Sequence, residues 1–139
     1  MDYAERGLLT DLRHSLLHLH KTLLEWERTA YERIHGRVAG HALLQALLKD
    51  PQFAWLHPIS ELIVTIDVAL ESEPNAPVDV STILAQARAL IVADETGSGT
   101  AQRYAAALQE SPDAVFAHRD VMRLLKAKRD DALPSQRPH

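Results

Sequence analysis

Arg13, His20 and Glu27 stand seven residues apart in a stretch otherwise rich in leucine. On a helix advancing about 100° per residue, that spacing returns each side chain to nearly the same side. The side is the apolar one, because Leu9, Leu16, Leu23 and Leu24 flank the three polar positions. His118 repeats the pattern later, among Val115, Val121, Met122 and Leu125. A charge buried without a partner is expensive, so these residues are expected to be paired. Two kinds of pairing fit. In the first, Arg13, His20, Glu27 and His118 form an interior polar cluster that is satisfied internally, or long side chains reach past the end of the bundle. In the second, His20, Glu27 and His118 are metal or cofactor ligands, or proton carriers, since helical bundles build such sites from inward residues. The first is the leading reading and the second its alternative.

Other chemistry has thinner support. Glu32-Arg-Ile-His35 has the Glu-x-x-His form of di-iron carboxylate bundles, but those need a second copy and further inward glutamates, and there is one copy at a helix end. His14 and His18 have the i, i+4 spacing that can grip zinc, without a His-Glu-x-x-His pattern, and belong to a polar face with Glu25. Gly97-Ser-Gly99 lacks the Gly-Lys-Ser/Thr ending of a phosphate loop, and no Gly-x-Ser-x-Gly elbow occurs. With no cysteine, disulfides, thiolate metal sites and cysteine nucleophiles are excluded. No catalytic residue is predicted and no cofactor is expected.

The elements that would position these residues are helices. Leu9, Leu12, Leu16, Leu19, Leu23, Trp26 and Ala30 alternate in steps of three and four, which predicts one helix over about residues 3–35, ended by Gly36. Leu17, Leu24 and Tyr31 widen its apolar arc beyond what one neighbour covers. A short helix over about 40–49 stops before Pro51. The apolar link at 51–57 carries Phe53, Trp55 and Leu56, which either plug one end of the core or form an exposed partner surface. Further helices run from Pro58 to about Ser72 and from a cap at Asp79 or Ser81 through Ile91. Ala101, Tyr104, Ala105 and Leu108 make a fifth. Ser111 and Pro112 open the last, whose predicted buried stripe is Val115, His118, Val121, Met122 and Leu125. The expected fold is all-α: a single-domain bundle of five to six helices around a long N-terminal helix, over residues 1–130. A disordered tail is expected over 131–139.

Charge narrows the partners. From residue 50 to 87 there is no lysine or arginine, against Asp50, Glu61, Asp67, Glu71, Glu73 and Asp79; Arg119, Arg123, Lys126, Lys128 and Arg129 gather near the end. An acidic middle disfavours phosphate backbones, so nucleic acid is not an expected partner. The start lacks the basic-then-apolar pattern of a signal peptide, and no stretch is expected to reach the ~20 apolar residues of a membrane span. A soluble, cytoplasmic protein is the expectation.

Three segments, Leu19-His-Lys-Thr-Leu-Leu-Glu-Trp-Glu-Arg, Asp50-Pro-Gln-Phe-Ala-Trp-Leu-His-Pro-Ile-Ser-Glu-Leu-Ile63 and Ala85-Gln-Ala-Arg-Ala-Leu90, resemble a group of small bacterial all-helical proteins. The resemblance covers most of the chain and implies no activity, because none is assigned to that group. The function expected from the residues is a non-enzymatic protein-interaction module. A homodimer is its predicted state, with Phe53, Trp55 and Leu56 at the interface and the acidic segment facing the basic one.

Overall fold

A computed structural model describes residues 1–131 apart from Pro74 and Ser98, with side chains as far as Lys126. It is an all-α bundle: α1 Tyr3–His35, α2 Gly40–Lys49, a 3₁₀ helix Pro51–Leu56, α3 His57–Glu71, α4 Val80–Leu90, α5 Thr100–Glu110 and α6 Pro112–Asp131. There is no strand among the described residues. The tail expected over 131–139 lies outside the described residues from 132 onward.

α1 begins with a capping box, in which the Asp2 carboxylate accepts from the Glu5 N–H and the Glu5 carboxylate accepts from the Asp2 N–H. It ends at Gly36, whose φ of 80° favours glycine and whose N–H donates to the Glu32 carbonyl. Leu9, Leu12, Leu16, Leu19 and Leu23 are wholly buried by other parts of the same chain. α3 lies along one side of this stripe and runs antiparallel to α1, since Arg6 donates to the Leu70 carbonyl and Arg13 pairs with Asp67. α6 lies along the other side, and α4 bridges α3 to α6. These four helices form a ring with α3 and α6 diagonally placed. α5 rests on α6 and reaches the 3₁₀ helix, against which α2 also packs.

Three expectations need correction. The buried stripe of α6 is Ala114, Ala117, Val121 and Leu125; Val115 and Met122, expected inside, are exposed. Small alanines let α6 approach α1 closely, and their weak hydrophobicity hid the true phase. Phe53 and Leu56, offered as interface residues, are buried core. The third concerns membrane length. Pro51–Glu71 is 21 residues long with mean hydropathy 1.4, long and apolar enough to cross a membrane by length and composition. Here Phe53, Leu56, Ile59, Leu62 and Ile66 of that run are buried in the bundle.

Candidate functional site

Glu27 is wholly buried, two turns before the end of α1. Its hydrogen-bond donors come from two other places in the chain. The 3₁₀ helix presents the Trp55 Nε1–H, 2.7 Å from Oε1, and the Gln52 Nε2–H, 3.2 Å from Oε2. α5 presents Arg103, whose Nε lies 2.8 Å from Oε1 and whose Nη2 lies 2.5 Å from Oε2. Each carboxylate oxygen thus accepts two donors, and Arg103 engages both in the two-pronged form that suits a guanidinium. The guanidinium also lies 4.2 Å from the Trp26 ring, and the Trp26 and Trp55 rings meet edge to face with centroids 6.3 Å apart.

Burial by itself would raise the Glu27 carboxyl; the bonds from Arg103, Gln52 and Trp55 and the Arg103 charge outweigh it and hold the group below its ordinary value. The Glu27 bonds push Arg103 upward against its own burial. A carboxylate ionised and saturated in this way has no lone pair left for a metal and takes a proton less readily than a free one. Its chemistry is that of a clamp joining α1, α5 and the 3₁₀ helix.

The other inward residues take separate partners. The His118 Nδ1 lies 2.7 Å from the hydroxyl of Tyr104, a side chain with no exposure. Burial pushes the Tyr104 phenol up and His118 down, so the hydroxyl stays protonated and can donate to an unprotonated Nδ1. His20 is half-buried and lowered by burial first and by the charge of His57 second; the His57 Nε2 in turn lies 3.0 Å from the Leu47 carbonyl oxygen. Arg13 pairs with Asp67 at the half-exposed seam of α1 and α3. The four therefore do not gather into one cluster. No group of three or more histidines, cysteines or carboxylates could hold a metal among the described residues, so His20, Glu27 and His118 form no common ligand set there.

The weaker motifs have local roles. Glu32 accepts from the Val38 N–H and Arg28 donates to the Val38 carbonyl, folding the connection after α1 back onto the helix, while the His35 ring stacks on Tyr31 at 4.3 Å. His14 and His18 are exposed. Tyr31 also packs on Phe53, with ring centroids 5.3 Å apart, so the apolar link closes one end of the core. Trp55 is half-buried, turned to Glu27 rather than outward. Sequence reasoning missed Arg103, Gln52 and Tyr104 as partners. An inward glutamate does announce that a cation must exist, but it does not say which one.

These shifts predict a two-stage acid response. For His20 and His118 the folded chain binds fewer protons than the unfolded chain between the lowered value and 6.5, so stability falls as pH drops through that window. Glu27 acts likewise below 4.5, where the unfolded carboxyl protonates before the folded one. Urea midpoints measured from about pH 8 to about pH 3 should fall in two steps. The His20→Gln/His118→Gln chain should keep only the lower one. An upper step that survives this change would contradict the assignment.

No protein-family model, curated protein or solved structure matches the chain.

Proposed function

We propose that the chain is a non-enzymatic helical module that works by binding protein, and that its first partner is a second copy of itself. The observation that carries this reading is the uncovered face of α2. Leu44 and Leu48, one turn apart, are 50% and 60% exposed, and only Ala46 of this helix is fully buried. The leucine stripe of α1, by contrast, is covered within the chain and leaves only Leu17 at its margin, so α2 rather than α1 offers the surface for self-pairing. Exposed apolar faces of this kind mark interaction surfaces. This face carries no charge of its own between His41 and Lys49, so it can meet an identical face about a two-fold axis without repulsion. The interior polar groups support a non-catalytic reading because Glu27 is saturated by donors.

Sedimentation velocity at micromolar concentration tests the proposal. The expected species has twice the 15.5 kDa chain mass, and salt should change it little. Leu44→Glu/Leu48→Glu should return it to 15.5 kDa with unchanged helical circular dichroism, because both side chains already face water. A sharp 15.5 kDa boundary for the unmodified chain would end the self-pairing proposal.

A further inference from the structure

The two ends of the charge gradient lie on opposite sides of the ring. On α3, Val64 and Val68 point outward, 58% and 64% exposed, bordered by Glu61 and Glu71. An open groove of about 320 Å³ runs beside them against α4, with Leu62, Ala89 and Leu90 in its walls and Glu61 at its rim. Neither Glu61 nor Glu71 has an ion pair among the described residues, and no lysine or arginine occurs between 50 and 87. On α6 the outward stripe is Phe116, 59% exposed, with Arg119 and Arg123, flanked by Val115 and Met122. These arginines too have no ion pair among the described residues. Asp113 and Asp120 sit to one side, in the grooves toward α1, and Arg123 borders the second of these beside Asp120 and Asp11.

We infer that the acidic, valine-bearing face of α3 and its groove dock the basic, Phe116-bearing face of α6 from a second copy. Both surfaces are helical, both combine exposed apolar side chains with charges, and the charges are opposite. The α3 face spans Glu61 to Glu71, roughly 15 Å, and the α6 face Val115 to Arg123, roughly 12 Å, so the shorter can lie within the longer. Opposite charge across such a contact sets register and excludes the like-with-like pairings α3–α3 and α6–α6. Because α3 and α6 are diagonal in the ring, their outward faces look in opposite directions. Two copies joined this way leave one face of each kind free. The contact is therefore head-to-tail and extends as an open chain, unlike the closed pairing at α2. It uses none of the α2 leucines and stands or falls apart from them.

The test uses the full-length Leu44→Glu/Leu48→Glu chain, so that any assembly is independent of α2. At low salt and about 100 µM, its weight-average mass should climb with concentration to several-fold the monomer value without a plateau. In about 0.5 M salt it should fall back, as expected for exposed charges beyond a short screening length. Glu61→Lys/Glu71→Lys and Arg119→Glu/Arg123→Glu, each added to that chain, should remain monomeric when alone. Mixed in equal amounts they should assemble again, because every acidic face then meets a basic one. A parent chain that stays monomeric, growth indifferent to both reversals, or a mixture that does not assemble would each overturn the inference. The unmodified chain's dimer reports separately on α2.

Discussion

Glu27→Ala should lower the free energy of unfolding by about 3–5 kcal/mol at neutral pH, the loss typical of breaking a buried ion pair from one side. The change removes the shared acceptor of Arg103, Trp55 and Gln52 together. It leaves a guanidinium beside Trp26 without its counter-charge, a tryptophan N–H without an acceptor, and a space where the carboxylate was. A domain of this size has about 5–15 kcal/mol in all, so the variant should sit near the edge of stability. Arg103→Ala should be comparably damaging, since it strands the carboxylate instead. The pair replacement Glu27→Leu/Arg103→Met should recover much of the loss, because exchanging both partners for apolar groups of similar size is often close to neutral. Urea unfolding of the three variants, followed by circular dichroism, decides the question. A loss under about 1 kcal/mol for Glu27→Ala would mean that the carboxylate is solvated and the clamp does not form.

Phe53→Ala should cost a similar amount, about 3–5 kcal/mol, and should leave self-association untouched. The ring is about 1% exposed and packs on Tyr31, so its removal opens a cavity at the end of the core rather than an edge of an interface. Leu48→Glu should show the converse, weakened association with little change in the urea midpoint. Measured side by side, the two variants separate a plug from a contact surface. A Phe53→Ala chain that keeps its stability but loses its dimer would reverse the assignment.

The parts of the structure that could be read from residue order are those set by local spacing and by strong side chains. The leucines of α1 announce a helix with the observed ends, Gly36 stops it, and Ser111 with Pro112 starts α6. Asp2-x-x-Glu5 is a capping signal that could also have been recognised in advance. Where the buried side chains are alanines, reading by hydrophobicity picks the wrong face, as with Val115 and Met122 against Ala114 and Ala117. The inward placement of Glu27 was visible in its seven-residue spacing from Arg13 and His20, yet these neighbours in the pattern are not neighbours in chemistry. Its counter-charge comes from Arg103, 76 residues away. Pairing across such a separation depends on how α5 is docked, which no local periodicity encodes. The isolation of the α2 leucines was equally hidden, since Leu43, Leu44, Leu47 and Leu48 look like core residues until the neighbours of that helix are known.

The placement of α6 against α1 carries a cost during synthesis. α1 is made first and holds the longest unbroken leucine stripe, while one of the two helices that flank it emerges about 80 residues later, a delay of roughly 4–16 s at ordinary translation speeds. Antiparallel α3 can settle early on its side, but the side that belongs to α6 stays bare throughout. A nascent chain arrested after α5 should therefore display Leu12 and Leu19 to any hydrophobe-binding chaperone at the ribosome exit. Crowded translation of the same message would bring several such half-covered helices close together before any of them could close.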